Sequence, residues 1–328
     1  MKRLLFVLLA IQFSLSTIVA QSDSLRAISR YWAERGYYSR SIGALRQIPQ
    51  DSLTLDDMQQ RYNCLSSMGQ EDSLVYWAER ILKDNPYCVP VILDYTKRLN
   101  KGIKTEMGKI TLPERVIDIC IQYKHRDSTH ILVNRQLADA YYNMENYERA
   151  LSELNRLMAM GDSCFNTLYT LGLTYQRMSD NNSAYDYLYR ACQKNNQHPY
   201  CLFILGIVCN KIGFGAEALG YLDEAKKLMI PDGRTLYRLH RELAESFNQK
   251  NEADFRLREL EECLRYCDDS ERPLLDYDMG QCYVALKQHD KAQHHLQQFL
   301  EATQNREYND NIKYKRQRAE QMLRMMMW

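Results

Sequence analysis

Cys263 and Cys267 stand four residues apart, and His289, His294 and His295 follow in the next segment. On a helix that cysteine spacing puts both thiols on one face, and a histidine from the following element could complete the tetrahedral set that zinc takes. The competing reading is packing: Cys263 falls where helices are expected to cross, and a free cysteine there behaves as a small buried hydrophobe. Packing is the reading adopted, so no metal and no cofactor are expected. Among ten cysteines, Cys192 and Cys201 flank one interhelix turn and are the pair to test for a disulfide. For catalysis the chain offers no Gly-rich phosphate loop, no nucleophile elbow, no His-Glu-x-x-His and no paired carboxylates in a predictable cleft. The protein is therefore not expected to be an enzyme.

Composition narrows the partners and the architecture. With 43 Lys+Arg against 42 Asp+Glu in 328 residues there is no general field for a polyanion, and nucleic acid is not an expected partner. Thirteen glycines and seven prolines, with abundant Leu, Ala, Glu, Arg and Gln, argue for helix nearly throughout. Lys2 and Arg3 precede an apolar run from Leu4 to Ile11 that ends at Val19-Ala20-Gln21, the pattern of a secretory signal peptide over residues 1–20. No later stretch approaches the roughly 20 apolar residues of a membrane-spanning helix. The expectation is an exported protein with no transmembrane span once the signal is removed.

The helices repeat. Gly206, Ala218, Leu222 and Ala225 each lie 34 residues after Gly172, Ala184, Leu188 and Ala191, and Ala138, Ala150 and Leu154 lie 34 before the first three of those. Forward, Ala244 and Gly280 take the glycine place after 38 and then 36 residues, which puts the insertions in turns. Leu171, Gly172 and Tyr175 fall on one helical face, as do Ala184, Leu188 and Ala191 on a second helix. Small residues let the two backbones approach, and since one pair cannot bury both its faces, pairs must stack.

The 34-residue period, the Leu-Gly-x-x-Tyr opening and the Ala-x-x-x-Leu-x-x-Ala second helix resemble the tetratricopeptide repeat family. Asn85-Pro86 resembles its repeat-ending proline, while Pro199 and Pro231 sit slightly off register. Upstream the match weakens, with Ser29 and Tyr62 in the small-residue place, and Val89–Arg126 diverges most. The resemblance implies an all-α, right-handed α-solenoid of about seven helix-turn-helix repeats with a C-terminal capping helix. Its expected domains are divergent repeats over 22–126, regular repeats over 127–305 and a cap over 306–328.

The resemblance also implies that the first helix of each pair lines a concave groove for a protein or peptide segment. By register the groove carries Arg135, Asp139 and Tyr142, then Asn166, Tyr169, Leu173 and Arg177, then Tyr200, Phe203, Ile207 and Lys211, then Arg238, Arg241, Glu245 and Asn248. Such a lining, aromatic in the middle and basic at its edges, suits apolar anchors with acidic flanks. The family's Lys and Asn carboxylate clamp is not reproduced. An exported scaffold of the bacterial envelope, most simply periplasmic, is the first reading. A ligand-sensing or glycan-binding repeat protein of a nutrient-uptake system is the alternative, and it requires aromatics exposed outside the packing register. Asp-Ser-Leu at Asp23, Asp51 and Asp72, with Asp127-Ser128-Thr129, reads as helix N-caps; the triplets also resemble O-glycosylation acceptors of some exported Gram-negative proteins. The apolar end at Met322, Leu323, Met325 to Met327 and Trp328 either seals the last repeat or pairs with a second copy.

Overall fold

The computed structural model describes residues 20–105, 108–229, 233–304 and 310–326. Nearly all of the expected signal peptide, together with Pro231, Met327 and Trp328, lies outside them. The chain divides into two compact units, Met1–Asp162 and Ser163–Trp328. Among the described residues the first holds the antiparallel pairs α1 (residues 20–34) with α2 (Tyr38–Arg46), α3 (Leu55–Met68) with α4 (Glu71–Asp84), α5 (Val89–Lys101) with α6 (Pro113–Lys124), and α7 (Ile131–Asn143) with α8 (Tyr147–Ala159). The second holds α9 (Phe165–Arg177) with α10 (Asn181–Lys194), α11 (Pro199–Lys211) with α12 (Gly215–Leu228), α13 (Gly233–Gln249) with α14 (Ala253–Cys263), and α15 (Arg272–Ala285) with α16 (His289–Ala302), followed by α17 (Asp310–Met326). The repeat register counts about seven pairs; the further one is α5/α6, in the most divergent stretch. Its turn is lengthened by a two-stranded hairpin, β1 (Ile103–Thr105) against β2 (Gly108–Ile110), with Ile103 opposite Ile110. Buried Ile103 holds β1 to α4, which gives so short a hairpin the packing it needs.

The recurrence of glycine at this place in the repeat has a steric cause. A side-chain carbon at Gly172 would fall 2.5 Å from Leu188 Cγ, at Gly206 2.6 Å from Leu222 Cγ, and at Gly280 2.7 Å from Leu296 Cδ2. Each leucine is fully buried against the missing side chain, so the pairs α9/α10, α11/α12 and α15/α16 close backbone to side chain. In the first unit the same place holds larger groups that are satisfied differently. Ser29 shares a hydrogen bond with Ser41 across α1 and α2 at 2.8 Å, and the buried Tyr62 donates its hydroxyl to Asp94 of α5 at 2.7 Å.

The turns within pairs carry one left-handed residue each at Gly36, Gly69, Glu145, Ser179, Gly213, Asn251 and Lys287. That conformation lets the chain reverse in two or three residues, at a cost for the four that are not glycine. Helix capping differs from the sequence expectation. Thr54, His130, Asn146, Asp180 and His198 cap through their side chains. Asp51 and Asp72 instead sit in the first turns of a 3-10 segment (Gln50–Ser52) and of α4, where a carboxylate still complements the helix dipole. Asp23 lies inside α1, and Asp127 accepts from the backbone N–H and hydroxyl of Thr129 ahead of α7. At the other end α17 buries Ala319 and lays Met322, Leu323 and Met326 against Tyr277, Leu296 and Phe299, while Met325 is exposed.

Candidate functional site

The first helices of the second unit, α9, α11, α13 and α15, place side chains of equivalent register at different depths. The residues three before the small-residue places Gly172, Ala244 and Gly280 are spacers between neighbours. Tyr169 stacks on Phe165 at 5.4 Å between centroids and meets His198 at 5.3 Å. Arg241 donates to Asp278 of α15 at 2.7 Å, and Tyr277 is buried beneath the Lys315 ammonium, 4.5 Å from its ring centre.

Two residues expected on the open groove are therefore corrected. Phe203 retains 2% exposure and Ile207 is also buried. The reason is visible in α11: PYCLFILGIVCNK is apolar on every side, and a helix apolar all round is packed all round. The Arg238 guanidinium lies over the Phe203 ring at 5.5 Å. In the first unit Arg135 is held by both carboxylate oxygens of buried Asp162, at 2.6 and 2.5 Å; Tyr142 leans on Tyr147 with centroids 5.8 Å apart, and Asp139 is half-buried.

What remains at the surface of the second unit is a polar and basic set. Tyr200, 53% exposed, stands at the start of α11, in the place that Asn166 takes on α9 and Arg238 on α13, both exposed. Arg177, Lys211 and Asn248 are exposed toward the other ends of those helices, Glu245 is exposed on α13, and Leu173 is half-buried. Beneath them runs a network that spacing did not reveal. Asn210 donates to the Glu242 backbone carbonyl (2.9 Å) and carboxylate (3.0 Å), and it accepts from Ser246 at 2.8 Å. Burial raises the Glu242 carboxyl above the usual range, although Asn210 and the positive charges of Lys211 and Arg238 pull it back.

A second missed feature is Asp278. Its carboxylate is buried and receives Arg241, with Arg256 at 3.5 Å and Lys315 at 3.7 Å. Two residues away, buried Asp276 meets His295 Nδ1 at 2.9 Å. Two acids flanking a tyrosine in LLDYDMG, inside an otherwise apolar helix, were the available signal. The thiols of Cys263 and Cys267 turn instead to the Tyr237 and Leu264 carbonyls, and among the described residues no cluster of three or more His, Cys, Asp or Glu could hold a metal ion. Nor is any described helix long and apolar enough to cross a membrane.

A family model for the tetratricopeptide repeat matches residues 275–302, the pair α15/α16. That pair is a tetratricopeptide repeat. A curated relative, Photosystem I assembly protein Ycf3 of Prochlorococcus marinus (strain MIT 9313), is 30% identical over 89 residues, 26% of this chain. The match spans about half of that relative, 51% of its length. Among solved structures, YrrB, described as a TPR protein with an unusual peptide-binding site, is 17% identical and superposes with a TM-score of 0.51 over 62% of this chain and 97% of its own. The Cut9–Hcn1 hetero-tetramer of the APC/C matches 92% of this chain and 55% of that one at 14% identity and a TM-score of 0.49. At 17% identity the likeness to YrrB speaks to the fold alone.

Proposed function

We propose that this tetratricopeptide repeat protein is a binding scaffold of the bacterial cell envelope, and that the first-helix face of its second unit receives an extended or helical protein segment with acidic residues around an apolar anchor. The observation that carries the reading is the surface set itself. Tyr200 offers an exposed ring on a rigid helix, Arg177, Lys211 and Arg238 stand on the same row of helices, and Glu245 is the exposed acid among these positions. Tyr and Arg are the side chains that most often dominate protein interfaces. Phe203 and Arg241 shape that face from below, in place of the direct contact the register assigned them. Export rests on residues 1–20, and the mature chain would begin at Gln21. The test is affinity capture from an envelope fraction with the mature chain beside a Tyr200→Ala, Arg238→Ala variant of unchanged helicity. A partner held by the first and released by the second supports the reading; equal retention moves the site elsewhere.

A glycan-binding role has one observation in its favour. Tyr189 and Phe214 are exposed around Tyr185, which stacks on the first at 6.0 Å and meets the second edge-on at 5.8 Å. Titration with soluble oligosaccharides, read by tyrosine fluorescence in wild type and Tyr189→Ala, separates that role from the first.

A further inference from the structure

Cys192 lies in the last turn of α10 and Cys201 in the first turn of α11, and their sulfurs are 3.2 Å apart in a buried thiol–thiol contact. The two helices are joined by residues 195–198, so the contact bridges one connection between successive repeats. Other thiols turn to oxygen instead, Cys64 to Ser41, Cys263 to the Tyr237 carbonyl and Cys267 to the Leu264 carbonyl. We propose that Cys192 and Cys201 are a disulfide-forming pair, closed by exchange with a disulfide oxidant, and that the bond staples α10 to α11 beneath the helix start that presents Tyr200.

The geometry asks little of the backbone, since closing from 3.2 Å to a bond of about 2.05 Å is within reach of small side-chain rotations. Electrostatics distinguish the two sulfurs. The contact with Cys201 holds the Cys192 thiol below its ordinary range, while the same contact and burial push Cys201 up. Cys192 is therefore the attacking thiolate. It is also the sulfur beside an exposed turn, residues 193–197, whose local opening would admit a reagent. In the first step the Cys192 thiolate attacks one sulfur of the oxidant, its S–S bond breaks, and one thiolate leaves, giving a mixed disulfide on Cys192. Cys201 then gives up its proton to the released thiolate or to solvent and attacks Cys192 Sγ, expelling the second thiol. Two protein thiols are oxidised and one oxidant disulfide is reduced to two thiols.

The test equilibrates the full mature chain in glutathione buffers of increasing oxidised fraction, quenches with N-ethylmaleimide, and maps peptides by mass spectrometry. The expected result is a loss of two alkylable thiols per chain, a linked peptide joining Cys192 to Cys201, and a Tm that rises on oxidation. The Tm rise should vanish in Cys192→Ser, and Cys201→Ser should accumulate glutathione on Cys192. Both cysteines alkylated at every ratio, a bond to a different cysteine, or a bond between chains would overturn the proposal. The wild-type map decides the matter even if a serine variant folds poorly.

Discussion

Adding one methyl group should have opposite effects at two glycines of the same helix pair. Gly220 is exposed on α12 with open space where a side chain would go, so Gly220→Ala brings only the gain in helix propensity, about 1 kcal/mol. Gly206 on α11 makes the same gain, but its new carbon would sit 2.6 Å from Leu222 Cγ and 2.7 Å from Leu222 Cδ2. Overfilling a packed interior costs about 1 to 3 kcal/mol, so the net effect is a loss of about 1 kcal/mol. The two variants should therefore differ by about 2 kcal/mol in urea unfolding followed by far-ultraviolet circular dichroism. Leu222→Ala alone should cost about 2 to 5 kcal/mol, and combined with Gly206→Ala it should cost less than the sum, because it removes the atoms the new methyl group strikes. If Gly206→Ala stabilises as much as Gly220→Ala, the steric account of the 34-residue register is wrong.

Asp278→Ala should cost about 3 kcal/mol, since it strands Arg241, Arg256 and Lys315 around a buried site, whereas Lys227→Ala, which breaks an exposed pair with Glu224, should stay within about 0.5 kcal/mol by the same unfolding assay. Two glutamates should act in opposite directions with pH. For Glu79, burial opposes ionisation but hydrogen bonds from Arg115 and Tyr95 prevail and hold the carboxyl low, so its contribution is present above the unfolded value of about 4.3 and lost as pH falls through the folded one. For Glu242, raised by burial, the contribution is present below about 4.3 and lost as pH rises through the folded value, so Glu242→Gln should stabilise at neutral pH and by less in acid, as read from melts across that range. Glu145→Gly and Lys287→Gly should each gain up to about 1 kcal/mol by relieving a left-handed backbone, while Gly213→Ala should lose stability in the same thermal melts.

The repeat register was legible because a crossing that leaves no room for a side chain writes itself as glycine or alanine facing leucine at a fixed interval. Gly172, Gly206 and Gly280 carry that signature and Ala138 and Ala244 soften it. The pair α5/α6 was harder to see because Thr96, eighth in α5, stands where the small residue should be and the hairpin stretches the spacing. The turns were partly hidden as well, since Glu145, Ser179, Asn251 and Lys287 adopt a backbone that glycine would have announced. At the groove, register assigned a helix face but not a depth. Phe203 and Tyr200 are three residues apart on one helix, yet contacts with the neighbouring helices bury the first and leave the second in water. Those neighbours come from other repeats, and Asp278 and Asp162, which fix Arg241 and Arg135, lie 37 and 27 residues downstream, separations the 34-residue period does not encode.

The first-helix face of the second unit is proposed to select acidic segments around an apolar anchor. Selection of a displayed random-peptide library on the immobilised mature chain tests it most directly. The expected result is enrichment of sequences with Asp or Glu flanking an aromatic or aliphatic residue, weakened by added salt and lost on the Tyr200→Ala, Arg238→Ala variant. Enrichment of basic sequences, or acidic ones that bind the variant equally well, would contradict it.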